Sequence, residues 1–196
     1  MEMVRTKKLY SLIFYLEITC EDPEVIQLVD EFTKLLLIYS KDLDFGFSKV
    51  KDCSCGTIYL YKAIVNIFVG QIKEAKENLE KSKKFQMNER EEMNLRALEF
   101  WTQGKSENCI QELVSISKKF PTDLVAIFIC FQHFIFGGRM KELLKLIENI
   151  VPFHENNSYV LGMYCFGLEE CQKFEKAEEM GLKANKINEM DPWYEI

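Results

Sequence analysis

The fold is decided by the stretch Gly56–Glu89, GTIYLYKAIVNIFVGQIKEAKENLEKSKKFQMNE, because its turn glycine recurs at a constant interval. Gly70, Gly104 and Gly138 stand 34 residues apart, and each lies between two apolar stretches of helical character. A constant period of this length indicates a chain of stacked helix–turn–helix units. Glycine suits the turn because the residue that follows a helix often needs a positive φ.

The period divides most of the chain into four windows that follow one another without a gap: residues 56–89, 90–123, 124–157 and 158–191. Gln172 holds the turn position of the fourth window. We therefore predict an all-α fold, in which tetratricopeptide-type helix–turn–helix repeats form a right-handed superhelical array. Residues 1–55 are expected to form an irregular helical segment that covers the first repeat, and residues 192–196 a short tail.

Small side chains are expected where the two helices of a unit cross closely. The eighth position of the windows carries, in order, Ala63, Ala97, Phe131 and Cys165, and the twentieth carries Ala75, Cys109, Leu143 and Ala177. The third window thus has two bulky residues at positions that are usually small. We expect its two helices to stand farther apart than those of the other windows.

Capping residues and prolines predict several helix ends. Asp22 and Pro23 are expected to begin a helix, since aspartate caps the helix and proline fits its first turn. Asp123, which follows Pro121, is expected to cap the next helix in the same way. Pro152 comes early in its window, so the second helix of that window should be short.

The parts before and after the repeats are also predicted to be largely helical. The apolar run Leu9–Leu16 faintly resembles a signal peptide, but Glu17 interrupts it, and a packed helix within residues 1–20 is the better interpretation. A shorter helix is predicted over residues 45–51, and the last helix over residues 174–190.

Composition and charge exclude several classes of function. The formal net charge is −6, and the chain shows no basic stripe of the kind that binds nucleic acid. The longest uncharged run, Leu124–Gly138, is shorter than the roughly 20 residues of a membrane-spanning helix. The seven cysteines lie among apolar positions, which favours buried thiols in a reducing compartment. We therefore expect a cytoplasmic protein with no membrane span and no nucleic-acid partner.

No arrangement of residues predicts catalysis, a cofactor or a metal. Cys53 and Cys55 form the only close pair of cysteines, and both histidines lie far from them in the chain. A zinc site would need a second pair of ligands nearby. The adjacent carboxylates of Glu169 and Glu170 point about 100° apart on a helix, so they do not converge as an acid and a base.

Five stretches of the chain are similar to segments of a known family: Phe120-Pro121-Thr122-Asp123-Leu124, Tyr159-Val160-Leu161-Gly162-Met163-Tyr164, Phe166-Gly167-Leu168-Glu169-Glu170, Ala177-Glu178 and Asp191-Pro192-Trp193. They resemble the tetratricopeptide repeat protein 38 family, most clearly from Arg96 to Trp193 and more weakly over Leu16–Asp30. The resemblance implies a helical repeat protein and carries no catalytic residue. Members of the family are much longer, so the chain corresponds to their front portion.

The first helices of stacked units usually line a concave side, and here they predict an apolar groove. Its candidate partner-binding residues are Leu60, Ile64, Phe68, Leu98, Trp101, Phe128, Ile135, Phe136, Tyr159 and Phe166. None of these positions carries a cation that could grip a C-terminal carboxylate. We expect the groove to be filled by a protein or peptide with an apolar face, or by the chain's own N-terminal segment.

The predicted function is a non-enzymatic protein–protein interaction scaffold without a cofactor. Two alternatives stay open. One is a fragment or truncated member of a longer helical repeat protein, whose activity depends on later helices. The other is a catalytic protein of unknown reaction, whose titratable groups would have to gather in the groove.

The last helix is expected to leave an apolar edge at the C-terminal end. A stripe of helically spaced residues marks its free face: Ala177, Gly181, Ala184 and Ile187. The aromatic residues Trp193 and Tyr194 follow shortly after it. We expect Ile187, Trp193 and Tyr194 to contact a second copy of the chain, a partner helix or the chain's own tail.

Overall fold

The computed structural model describes residues 9–10, 16–20, 22–43 and 55–188 of the chain. Within them the regular structure is helical, apart from one short pair of antiparallel strands. The elements are β1 Leu9–Tyr10, β2 Glu17–Ile18, α1 Pro23–Leu37, α2 Gly56–Phe68, α3 Ile72–Ser82, α4 Glu89–Thr102, α5 Ser106–Lys119, α6 Leu124–Phe136, α7 Met140–Ile150, a 3₁₀ turn Val151–Phe153, α8 Ser158–Glu170 and α9 Phe174–Ile187.

Turns of one geometry join the helix pairs α2–α3, α4–α5, α6–α7 and α8–α9. The backbone φ is 77°, 73° and 66° at Gly70, Gly104 and Gly138, and 60° at Gln172. In each turn, the N–H of the residue after the positive-φ position donates to a carbonyl of the preceding helix. The bonds are Gln71 to Asn66 at 2.7 Å, and Lys105 to Phe100, Arg139 to Phe134 and Lys173 to Leu168 at 2.9 Å each. These bonds satisfy carbonyls that a helix end leaves open. The positive φ expected from the spaced glycines is therefore present at all four turns.

Side-chain caps begin several of the helices. The Asp22 side chain accepts the N–H of Glu24 at 2.9 Å. In the same way, Asp123 accepts the N–H of Ala126 at 3.1 Å, and Asn157 accepts the N–H of Val160 at 3.2 Å. Each cap satisfies one of the backbone donors that the first turn leaves without a helical partner. The caps predicted at Asp22 and Asp123 are thus confirmed. The second helix of the third window is short, as expected, since α7 ends at Ile150 before Pro152 enters the 3₁₀ turn.

The N-terminal part differs from the sequence prediction. A helix was expected within residues 1–20, but its described residues form an antiparallel pair, in which Leu9 lies opposite Ile18 and Tyr10 opposite Glu17. The physical reason lies in Leu16–Cys20, where every second side chain is buried. A period of two fits an extended backbone, whereas a helix would bury side chains three and four residues apart. Residues 45–51 lie outside the described residues, and the last described helix ends at Ile187.

The chain forms two compact units; the first ends at Ile116 and the second begins at Ser117. In the first unit, α2 and α3 pack closely, with Ala63 and Ala75 fully buried. Helix α4 packs against both, and α1 packs against α2, where the rings of Phe32 and Tyr61 stack with centroids 4.4 Å apart.

In the second unit, α8 and α9 pack closely, and α7 packs against α8. The backbones of α6 and α7 lie farther apart than those of α8 and α9. Phe131 and Leu143 are both fully buried and both lie against α8, where Phe131 packs on Phe166 and Leu143 lies beside Gly167. The third window is thus more widely spaced than the first and the fourth, as expected for these two comparisons.

Candidate functional site

In the first unit, the candidate groove residues divide into a buried and an exposed group. Leu60, Ile64 and Leu98 are at most 2% exposed, so their side chains belong to the core. Phe68, in contrast, is 39% exposed, and Trp101 is half-buried. The rings of Phe68 and Trp101 pack edge to face, with centroids 5.5 Å apart and an interplanar angle of 87°. This is a favourable geometry for an aromatic pair, and it orients both rings.

In the second unit, the candidate residues divide in the same way. Phe128 is 1% exposed and belongs to the core. The half-buried residues are Ile135, Tyr159 and Phe166. The Phe166 ring packs on the buried Phe131 ring, with centroids 5.7 Å apart. Phe136 is 84% exposed, although it is a large apolar side chain on an otherwise buried helix.

Four of the exposed or half-buried candidates share one place in the repeats, the last turn of a first helix, whereas Tyr159 and Phe166 do not. Phe68 ends α2 and Phe136 ends α6, while Trp101 and Ile135 each come one residue before the end of their helix. We call Phe68, Trp101, Ile135 and Phe136 the helix-end residues. A single exposed apolar residue is ordinary on a protein surface. The shared register of these four residues is what marks them, in each unit taken by itself, as candidate binding residues.

A buried polar cluster at the N-terminal ends of α2 and α4 was missed by sequence reasoning. The Glu91 carboxylate accepts the Thr57 hydroxyl at 2.6 Å, the Thr19 N–H at 3.0 Å and the Asn88 N–H at 2.9 Å. The guanidinium of Arg90, also buried, lies 3.8 Å from the same carboxylate. The signal in the sequence was the spacing of Asn88 and Glu91, which is that of a capping box.

A surface cleft of about 930 Å³ lies in the second unit, beside the turns that follow α6 and α8. Two ion pairs line it: Arg139 Nε lies 3.2 Å from Glu142 Oε1, and Lys173 Nζ lies 3.5 Å from Glu148 Oε1. The backbone N–H of Glu142 and the Arg139 side chain lower the pKa of the Glu142 carboxyl. This carboxyl is thus ionised at neutral pH and unsuited to general acid catalysis.

Two adjacent carboxylates and two cysteine thiols bear on the catalytic alternative. Glu169 and Glu170 are both exposed. Burial, and in second place the charge of Glu169, raise the pKa of the Cys165 thiol. Burial alone raises the pKa of Cys109 to about 12. Because the thiolate is the nucleophile, a raised pKa makes both thiols weaker nucleophiles.

Among the described residues, no group of three or more His, Cys, Asp or Glu side chains is placed to hold a metal ion. Cys55 is buried, with its Sγ 3.9 Å from the carbonyl oxygen of Thr19. Cys53, the other member of the pair considered as ligands, lies outside the described residues. In the part of the chain that the structure covers, no helix has the length and apolarity to cross a membrane.

The C-terminal edge differs from the sequence prediction. Ala177, Gly181 and Ala184 were expected on a free face, but they are buried, and α9 packs closely against α8. Small residues let two helix backbones approach each other, so the stripe belongs to the contact within this helix pair. Ile187 remains 43% exposed. Trp193 and Tyr194 lie outside the described residues, and a contact through this end stays a prediction.

No family model matches the chain. Among solved structures, the chain is similar to MamA AMB-1, with a TM-score of 0.48 and 17% identity over 87% of this chain and 94% of that chain. The values for MamA MSR-1 are 0.48 and 17%, over 86% and 98% of the two chains. A MamA mutant gives 0.47 and 17%, over 84% and 99%. On its own geometry, the chain is an all-α protein of tetratricopeptide-type helix–turn–helix repeats.

Proposed function

We propose that this chain is a non-enzymatic protein–protein interaction scaffold, whose helix-end residues bind apolar side chains of a partner protein. The observation that carries the proposal is the 84% exposure of Phe136 at a position that matches the exposed Phe68 of the first window. In this proposal the windows 56–89, 90–123, 124–157 and 158–191 are the repeats, and the protein works in the reducing cytoplasm. Membership of the tetratricopeptide repeat protein 38 family is part of the same proposal, and the stretches quoted above support it.

Aromatic side chains at a surface have the energy to anchor a partner. Each buries roughly 150–250 Å² when it is covered, at about 25 cal/mol per Å² of apolar surface. Trp and Tyr are accordingly enriched among the residues that dominate binding energy at interfaces. The edge-to-face packing of Phe68 and Trp101 adds to this effect, because rings that are already oriented lose little freedom on binding.

The helix-end residues are all uncharged, which defines the chemistry of the partner. An apolar contact gains little from long-range charge attraction, and salt therefore screens little of it. We expect a partner that inserts leucine, phenylalanine or similar side chains between its polar ones, and whose binding persists at high salt.

Site-specific photo-crosslinking tests the proposal. The photoreactive residue benzoylphenylalanine replaces Phe68 or Phe136 in separate full-length chains, which are then exposed to the native cellular extract. Phe153 supplies the matched control, because it is a phenylalanine with 60% exposure in the 3₁₀ turn after α7. We expect one partner to crosslink at both helix-end positions and not at Phe153.

Variants of the same residues complete the test. Phe136→Glu should weaken capture of that partner by about tenfold or more, as expected for an interface anchor, whereas Phe153→Glu should leave the capture unchanged. Crosslinking that is equally efficient at Phe153, no common partner at the helix-end positions, or capture that survives Phe136→Glu would each contradict the proposal.

A further inference from the structure

Residues 16–20 lie in the first unit as an extended segment with alternating burial. Leu16, Ile18 and Cys20 are buried, with Ile18 fully so, while Glu17 and Thr19 are half-buried. Alternation with a period of two is the pattern of an extended backbone that lies on an apolar surface. The segment is thus held by three apolar side chains that enter the first unit from one side.

The backbone of this segment is bound by side chains of α4 and of its cap. The Glu17 carbonyl oxygen accepts hydrogen bonds from Asn88 Nδ2 and from Arg90 Nη2, each at 3.0 Å. The Thr19 N–H donates to Glu91 Oε1 at 3.0 Å. Bonds to backbone groups do not depend on the identity of the bound side chains. They give affinity for an extended chain as such, which is how many proteins bind extended peptides.

The binding groups are held in place by the repeats themselves. Thr57 on α2 donates its hydroxyl to Glu91 at 2.6 Å. Asn88 and Glu91 form a reciprocal capping box, with N–H to side-chain oxygen distances of 2.9 Å in both directions. None of these bonds involves residues 16–20. The acceptor for the Thr19 N–H is therefore oriented independently of the segment, and a preorganised site loses little on binding.

The docked segment also adds hydrogen bonds to two buried charged side chains. Arg90 is 5% exposed and Glu91 is 1% exposed, and their charged groups lie 3.8 Å apart. Buried charges are costly unless hydrogen bonds satisfy them. The Glu17 carbonyl and the Thr19 N–H supply such bonds, one to each charged side chain.

We propose that the N-terminal ends of α2 and α4 form a binding site for an extended peptide with apolar side chains at alternate positions, and that the chain fills this site in cis with its own segment Leu16–Cys20. The segment is a tethered ligand, and the same sequence binds in trans when the tethered copy is undocked. This site is separate from the helix-end residues and does not depend on the function proposed for them.

The test uses the full-length chain with Ile18→Asp, which places a carboxylate at a fully buried position and undocks the segment. The probe is a fluorescent synthetic peptide with the sequence of Phe14–Asp22, and its binding is followed by fluorescence anisotropy. We expect saturable binding to the variant chain and at least about tenfold weaker binding to the unaltered chain, whose site is filled.

Two modified peptides separate this site from non-specific adhesion. A peptide with an N-methylated Thr19 lacks the N–H that Glu91 accepts, and it should bind about tenfold more weakly, as expected for one hydrogen bond to a charged group. A peptide with Ile18→Asp should not bind. A folded variant chain that binds no peptide, or that binds all three equally, would overturn the proposal.

Hydrogen exchange of the unaltered chain gives a second test that does not rely on folding of the variant. A docked ligand segment opens while the repeats stay folded, so the Thr19 amide should exchange at least about tenfold faster than the amides of Ala63 and Ala97 in α2 and α4. Exchange of all three amides in one global unfolding step would show that the segment is an inseparable part of the core, and the proposal would be wrong.

Discussion

At the scale of single residues, Gln172 is a conformational exception in an otherwise regular series. It has a φ of 60° at the position that Gly70, Gly104 and Gly138 occupy in the other turns. The left-handed region costs an L-residue roughly 1–2 kcal/mol, because its Cβ approaches the following carbonyl. Apart from the backbone of the turn itself, a Cβ added at any of the three glycines would meet no heavy atom within 4 Å. The preference for glycine at this turn is therefore a matter of backbone conformation and not of space.

We expect Gln172→Gly to raise the free energy of unfolding by about 1 kcal/mol, and Gly138→Ala to lower it by a similar amount. Urea unfolding followed by far-UV circular dichroism measures both changes. Gln103→Gly is the matched control. Gln103 lies one residue before the turn glycine Gly104, and its own φ is −93°, so glycine relieves no backbone strain there. Equal effects of the two Gln→Gly changes would contradict this account.

At the scale of helices, the third window shows how packing departs from the repeat pattern. Ala63 and Ala97 hold the eighth position in the first two windows, and Phe131 holds it in the third. Phe131 is fully buried and contacts Phe166 on α8. Alanine, which holds this position in the first two windows, would thus leave a cavity in the third.

We expect Phe131→Ala to lower the free energy of unfolding by about 3–5 kcal/mol, although alanine is the regular residue at this repeat position. Phe136→Ala, on the same helix but at an exposed position, should change it by no more than about 0.5 kcal/mol. Chemical denaturation of both variants checks this pair. A small effect at Phe131 would mean that the neighbouring helices close the cavity without cost.

At the scale of the whole molecule, the response of stability to pH between neutral and mildly acidic conditions is governed by few groups. The chain has only two histidines, and histidine is the side chain that normally titrates in this range. His154 is one of them, and its Nε2 lies 2.8 Å from the carbonyl oxygen of Pro121. Burial lowers the pKa of His154, and the hydrogen bond to Pro121 opposes that shift only in part.

The sign of the pH effect follows from this lowered pKa. The folded protein binds the proton less readily than the unfolded chain, so the neutral imidazole stabilises the fold above its usual pKa of 6.5. This stability is lost as the pH falls from that value through the lower pKa of the folded state. Relative to His154→Gln, which keeps a donor for Pro121 and does not titrate, the unaltered chain should lose stability on acidification. Thermal melts of the two proteins across this pH range measure the difference, and parallel curves would contradict the prediction.

The sequence by itself determined the repeat, because the features that define it are local. A turn glycine sets the φ of its own residue, and Asp22 and Asp123 cap helices two or three residues away. The volume of two side chains at known repeat positions also predicted that α6 and α7 are spaced more widely than the first and fourth pairs. These effects act over a few residues, and the 34-residue period extends them along the chain.

Only the tertiary structure decided which surfaces are covered. Leu60 and Phe136 were equal candidates in the sequence, but one is buried and the other exposed, because burial depends on neighbours that are distant in the chain. The small residues of α9 were assigned to a free face, although α8 covers them. The bond from Thr19 to Glu91 joins residues 72 positions apart. Helical periodicity tells which residues share a face, whereas the element that packs on that face follows from long-range contacts that a single sequence does not encode in any local pattern.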